Sequence, residues 1–217
     1  AVLLLTQVNF RTGRFLDMAK LTQLAHEKGI LVIWDLAHSA GALPVELDKC
    51  EADFAVGCGY KYLNGGPGSP AFLYVAKRHQ QAVKQPLSGW MGHAKPFAFD
   101  AKYVSAPNIN QFQCGTPSVI SMSALDAALD VWQGVDMLQI RNKSEALADV
   151  FIKLIQMNDC LQDLVLCSPE IAQQRGSQLA FSHNEAFAIC QALIEKGVLA
   201  DFRAPNVLRF GFTPLYT

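Results

Sequence analysis

Asp53-Phe54-Ala55-Val56-Gly57-Cys58-Gly59-Tyr60-Lys61-Tyr62-Leu63-Asn64-Gly65-Gly66-Pro67-Gly68 passes from an apolar run into a glycine-rich turn, with a lysine between two tyrosines at the junction. A short apolar run bounded by turn residues reads as a buried strand, here over 53–58, with a tight turn at 65–70. A lysine at the end of such a strand is poorly placed for a solvated surface charge. Partial burial favours the neutral amine of a lysine, the form that can partner a carbonyl.

The neighbouring elements give this lysine its meaning. Upstream, Ile30-Leu31-Val32-Ile33-Trp34-Asp35-Leu36-Ala37-His38 reads as a strand over 30–35 that delivers an acid and an imidazole at its end. An aspartate and a lysine at successive strand ends are the pair that a pyridoxal phosphate site needs, one for the ring nitrogen and one for the aldehyde. Further upstream, Ala1-Val2-Leu3-Leu4-Leu5-Thr6-Gln7-Val8 reads as an opening strand. Asp17 then caps a helix through Lys28, with Met18, Leu21, Leu24 and Ala25 on one face and Gly29 as its stop. The strand–helix–strand spacing predicts parallel pairing. Downstream, Ala71-Phe72-Leu73-Tyr74-Val75 makes a further strand, antiparallel because its connection is short. All of these strands are expected to be buried on both faces. Open parallel sheets bind ligands beyond the carboxyl ends of their strands, so Thr6, Asp35 and Tyr60-Lys61 are expected to converge on one crevice.

Each of these residues also has a plainer reading. Asp35 serves equally as a loop acid or helix cap, His38 as a cap of the following turn, Tyr60 as a core residue, and Lys61 as a lysine extending from a strand end. The turn at 65–69 is not a phosphate loop, since it lacks the Gly-Lys-Ser/Thr ending and leads into a strand. Cys58 and Cys114 read as small buried hydrophobes. His26, His79, His93 and His183 lack metal-ligand spacing, and no metal is assigned.

Composition excludes several classes. The 217 residues carry a net charge of −1, with 18 basic and 19 acidic side chains and no basic stripe, which argues against nucleic acid as the main partner. The 6 cysteines occur singly, without a C-x-x-C pair, as reduced thiols of a cytoplasmic protein would. No apolar run is long enough for a membrane span. The chain opens directly in a strand without an initiator methionine and reads as a piece of a longer protein.

Residues 78–118 are less regular, with prolines at 86, 96, 107 and 117. Pro117 and Ser118 open a helical stretch to about residue 157, interrupted near Gly134. The remainder reads as a small α+β unit, with strands at 161–166, 177–182, 198–203 and 206–212 and a helix at 184–196. The fold class is therefore α/β: part of a mostly parallel sheet in a large domain (1–118), connecting helices (119–157), and a small C-terminal α+β domain (158–217).

Asp35-Leu36-Ala37-His38, Tyr60 through Gly68, Gly89-Trp90-Met91-Gly92-His93, Phe112-Gln113-Cys114-Gly115-Thr116-Pro117 and Leu208-Arg209-Phe210-Gly211-Phe212-Thr213-Pro214-Leu215-Tyr216 together resemble kynureninase, in order and spacing and along essentially the whole chain. The resemblance implies a fold-type-I pyridoxal phosphate enzyme of the aminotransferase class V kind, acting as a homodimer. Its reaction would be hydrolysis of the Cβ–Cγ bond of L-kynurenine or 3-hydroxykynurenine, giving an anthranilate and L-alanine in tryptophan catabolism. Carried over by position, Asp35 pairs with the ring nitrogen, His38 and Tyr60 contact the cofactor, and Lys61 holds it and shuttles the α-proton. Thr6 lies by the ring or phosphate, Trp90 and Thr116 reach the phosphate from the neighbouring subunit, and Arg209 grips the substrate carboxylate. The family's upstream half, with its phosphate-binding turn, stacking aromatic and further acid, has no counterpart in these residues. A cysteine desulfurase-like lyase and a non-catalytic dimerising fragment are the alternatives.

Overall fold

A computed structural model describes residues 1–217. The chain divides into two compact units that interleave in sequence: 1–5, 18–35 and 46–130 form the first, and 6–17, 36–45 and 131–217 form the second.

The first unit is built on a four-stranded sheet of order β1-β2-β3-β4, comprising β1 (Val2–Thr6), β2 (Leu31–Asp35), β3 (Phe54–Cys58) and β4 (Ala71–Val75). Helix α1 (Met18–His26) connects β1 to β2. β2 and β3 are parallel with Asp35 opposite Val56, and β3 and β4 are antiparallel, as the short connection predicts. Alternation along the strands decides what is covered. Val32 and Trp34 of β2 and Ala55 of β3 are fully buried, and the Trp34 indole Nε1 donates to Thr22 Oγ1 of α1 at 3.0 Å. The opposite face is open: Val56 and Leu73, cross-strand partners on β3 and β4, are exposed, as are Val2 and Leu4. The expectation of burial on both faces is therefore wrong for this sheet. Continuous apolar sequence cannot tell a strand covered on both sides from one covered on a single side, because covering is supplied by non-local segments.

Asp53, immediately before β3, staples the amino-terminal edge of this sheet. Its carboxylate accepts from His26 Nε2 at 2.8 Å, Val32 N at 2.8 Å, Arg78 Nη2 at 2.6 Å and His79 Nε2 at 2.7 Å. Burial pushes this carboxyl upward, but the bonds from His26, the Val32 N–H, His79 and Arg78 outweigh it and hold Asp53 well below the usual carboxylate range. Two of the histidines that look scattered in sequence are thus gathered on one acid.

The expected long helical stretch is two helices, α2 (Val119–Asp130) in the first unit and α3 (Met137–Gln156) in the second. Gly134 separates them at φ 75°, a left-handed conformation that a side chain would strain. Asp136 caps α3, its Oδ1 accepting from Leu138 N at 2.8 Å.

The second unit contains an antiparallel sheet of order β5-β6-β8-β7: β5 (Val165–Leu166), β6 (Gln178–Ser182), β7 (Asp201–Arg203) and β8 (Val207–Gly211). β5 is shorter than the predicted 161–166 because Asp159–Leu161 forms a 3₁₀ turn, capped by Asn158. Helix α4 (Ala186–Glu195) lies between β6 and β7 in sequence. One face of the sheet carries Leu179, Phe181, Leu208 and Phe210, packed with Ala148, Phe151 and Ile155 of α3 and with Ala186 and Cys190 of α4. On the other side, Gln178 Nε2 donates to Phe10 O at 2.8 Å and Arg209 Nη1 also donates to Phe10 O, so residues 9 and 10 are tied to the sheet. No helix of the chain is long and apolar enough to cross a membrane.

Candidate functional site

Parallel pairing of β2 and β3 brings their carboxyl ends to one edge, so Asp35 and the residues after Cys58 share that edge of the first unit. The chain leaving β3 is held in a compact turn, with Gly59 N donating to Pro70 O at 3.0 Å, Gly65 N to Gly59 O at 2.9 Å and Asn64 N to Lys61 O at 2.9 Å. Glycine at 59 and 65 is a packing requirement, since a Cβ at either would lie 2.3 Å from Ser69 Oγ. Lys61 Nζ stands 5.5 Å from the centroid of the Tyr60 ring, within the range of cation–π attraction. The Tyr60 hydroxyl is pushed up by the neighbouring Cys58 charge, by burial, by a hydrogen bond with the Cys58 side chain and by the charge of Asp35. The structure therefore brings Asp35, Cys58, Tyr60 and Lys61 together. Cys58, read from sequence as a core hydrophobe, is half-buried at the strand end and touches the Tyr60 hydroxyl. The signal that finds it is strand parity, because residues two apart share a face.

Trp90 and Thr116 belong to the irregular segment of the same unit. Trp90 starts a 3₁₀ turn, sits edge-to-face with Phe97 at 5.6 Å, and lines a cleft of about 480 Å³ with Ser88, His93, Lys95, Phe99 and Tyr103. Neither Asp35, Tyr60 nor Lys61 lines that cleft. Thr116 is exposed, three residues before α2, while Ser118 at the helix start pairs with Ser121 at 2.9 Å. Gly89 sits so close to Cys114 that an added Cβ would lie 1.7 Å from its carbonyl oxygen, which couples the two loops that carry Trp90 and Thr116.

The second unit holds the remaining expected residues. Thr6 Oγ1 donates to Val8 O at 2.9 Å. His38 is half-buried in the turn after Leu36, where Ser39 N and Ala40 N both bond to Leu36 O. Arg209, central on β8, is buried; its Nη2 donates to Asp201 Oδ2 at 2.5 Å, and its Nε is buried without a partner. Asp201 escaped the sequence reading because it is opposite Arg209 only through the β7–β8 register.

All 6 cysteines are free thiols. No cluster of three or more His, Cys, Asp or Glu side chains has the arrangement of a metal site.

Residues 140–217 match the Kynureninase C-terminal domain family. Over 217 residues the chain is 53% identical to a kynureninase of Burkholderia mallei (strain SAVP1), a match that takes in 100% of this chain and 52% of that protein. The chain thus spans about half the length of the curated relatives it matches. Among solved structures, the complex of the cystine C–S lyase C-DES with its reaction product cysteine persulfide superposes with a TM-score of 0.83 at 20% identity, covering 100% of this chain and 57% of that one. A C-DES mutant with glycine covalently linked to its PLP cofactor gives 0.81 at 19% identity, again over 100% and 57%. These structural likenesses show that the chain shares its fold with the corresponding part of C-DES.

Proposed function

We infer that this chain, whose residues 140–217 match the kynureninase C-terminal domain family, contributes to pyridoxal phosphate-dependent hydrolysis of the Cβ–Cγ bond of L-kynurenine or its 3-hydroxy form. One observation carries the reading: the 53% identity to a kynureninase extends over all 217 residues.

The donor set fits the cofactor. Within the first unit a carboxylate, a tyrosine hydroxyl and a lysine amine stand on one strand edge, with the Asp35 charge felt at Tyr60 and the Lys61 amine over the Tyr60 ring. Asp35 would hold a proton on the ring nitrogen, Lys61 would hold the aldehyde carbon, and Thr6, His38 and Tyr60 would contact ring and phosphate. When bound, the cofactor supplies an electron sink for a carbanion at the substrate α-carbon. Lys61 Nζ takes the α-proton and returns it at product formation. Tyr60, beside Lys61, would bind the cofactor phosphate or relay a proton. Arg209 takes the substrate carboxylate through its planar fork. Trp90 and Thr116 would serve the phosphate of a second copy in a homodimer. The free thiols support a cytoplasmic enzyme.

The test follows anthranilate release from L-kynurenine and sulfide release from L-cysteine by the chain supplied with pyridoxal phosphate, alone and together with a polypeptide corresponding to the remainder of its relatives. Anthranilate release that falls by at least about 10³ in Lys61→Ala supports the assignment. Sulfide release without anthranilate overturns it. A folded chain that shows no Lys61-dependent visible absorbance on adding the cofactor removes Lys61 from its role.

A further inference from the structure

We propose that Asp201 is a carboxylate latch on Arg209, holding the guanidinium until a ligand carboxylate takes its place and thereby setting the affinity for that ligand. The proposal rests on the reading of Arg209 as the residue that receives the substrate carboxylate.

Register creates the pair. Asp201 on β7 lies directly opposite Arg209 on β8, and the two side chains meet at 2.5 Å through Nη2 and Oδ2. The Arg209 side chain is only 9% accessible, yet its guanidinium is incompletely used. Nη1 is spent on Phe10 O and Nη2 on Asp201, while Nε is buried and has no acceptor. A guanidinium offers five N–H donors in a rigid fork, and a carboxylate satisfies it best by accepting two parallel bonds. Asp201 presents only its Oδ2 to Arg209, so the pairing leaves donor capacity unmet in a desolvated place. An arriving carboxylate that reaches Nε together with a terminal nitrogen gains what Asp201 does not supply.

Asp201 also has somewhere to go. Its side chain is 41% accessible, and Arg203, two residues along the same strand, already approaches the same Oδ2 at 3.0 Å. Displaced from Arg209, the Asp201 carboxylate stays paired with Arg203 and in contact with water, so the exchange strands no buried charge on the aspartate. Phe10 O meanwhile keeps the guanidinium in place. An immobile cation, an incomplete internal carboxylate and an alternative partner for that carboxylate together make a competitor. A fixed strut would have both of its oxygens engaged and no second cation.

The latch predicts that removing the Asp201 charge tightens carboxylate binding. ¹⁵N-arginine spectra of the chain would follow the Arg209 Nε–H while L-kynurenine is titrated, with kynuramine, which lacks the carboxylate, as the control. Asp201→Asn should lower the apparent Kd for L-kynurenine by about tenfold, the equivalent of ~1.4 kcal/mol of relieved competition, and leave the response to kynuramine unchanged. Asp201→Glu should bind as the parent does. In the cofactor-loaded enzyme the same change should appear as a lower KM at little cost in kcat. An unchanged or weaker Kd in Asp201→Asn overturns the latch and makes Asp201 a strut, as does a titration in which neither protein responds. Arg209→Gln and Arg209→Lys, checked for folding by thermal unfolding, separate the two layers. If both retain parental binding of L-kynurenine, Arg209 is not the carboxylate site and the underlying assignment fails, whatever Asp201→Asn does.

Discussion

Phe181 on β6 and Val56 on β3 occupy equivalent inner strands of their two sheets, yet Phe181 is 1% exposed and Val56 38%. The difference lies in what each unit supplies for its own faces. In the second unit, α3 and α4 bury Leu179, Phe181 and Leu208, and the other side is tied to Phe10 by Gln178 and Arg209. In the first unit α1 serves the Trp34 side, and the side of Val56 and Leu73 stays open. An antiparallel sheet that owns its cover is stabilised by burial. A mixed sheet with one open face depends more heavily on polar fastening, which is the part Asp53 plays.

Substitutions that remove one kind of support from each unit probe this contrast. Phe181→Ala leaves a cavity beside Phe151 and Phe210 and should destabilise by about 3–5 kcal/mol in urea denaturation. A cost below about 1 kcal/mol would show that the second sheet does not rest on its aromatic core.

Asp53→Asn comes next, at about 2–3 kcal/mol at neutral pH, because charge-assisted bonds to Arg78, His26 and His79 are weakened while Val32 N needs the remaining oxygen. The pH profile gives a second reading. The Asp53 carboxyl is depressed in the folded chain, so its contribution is complete above the unfolded carboxylate value of about 3.9 and is lost as the pH falls below it toward the folded value. Asp53→Asn should flatten that acid limb, and a limb as steep as the parent's would assign acid unfolding to other groups.

Gly57→Ala tests how closely β3 and β4 are matched. An added Cβ would lie 2.1 Å from the ring of its cross-strand partner Phe72, and the expected cost is about 1–3 kcal/mol. Tyr74→Phe removes the 2.6 Å bond to Asp48 and should cost about 1 kcal/mol. Burial and that bond raise the Tyr74 hydroxyl to about 12. Its stabilisation is therefore present below the ordinary phenol value of about 10 and lost as the pH climbs through the raised one, so Tyr74→Phe should lack this alkaline loss. Smallest of all, Leu73→Thr on the open face should stay within about 0.5 kcal/mol. A loss as large as that of Phe181→Ala would erase the distinction between the two sheets.

The elements themselves were legible in the residues. Strands at Leu31–Asp35, Phe54–Cys58 and Ala71–Val75, the antiparallel turn back into β4, the break near Gly134 and the small antiparallel unit all stand close to where periodicity and turn residues place them. These depend on local propensity, which short stretches of chain carry in full. The strand-end acid and lysine were legible for the same reason. Asp35 ends β2 and Lys61 follows closely on β3, and parallel pairing alone brings the two strand ends to one edge.

The remainder belongs to tertiary structure. Asp53 reads as the first residue of an apolar strand, and nothing local announces that His26, Arg78 and His79 meet on it. Arg209 is read from the resemblance as a carboxylate-binding arginine, and its partner Asp201 exists only through register. Sequence by itself determined the kinds of element and the chemical groups at their ends, because these follow from neighbours along the chain. Which face is covered, which acid is clamped and which arginine is held were decided by pairing across long sequence separations, where burial and charge act only once the fold has formed.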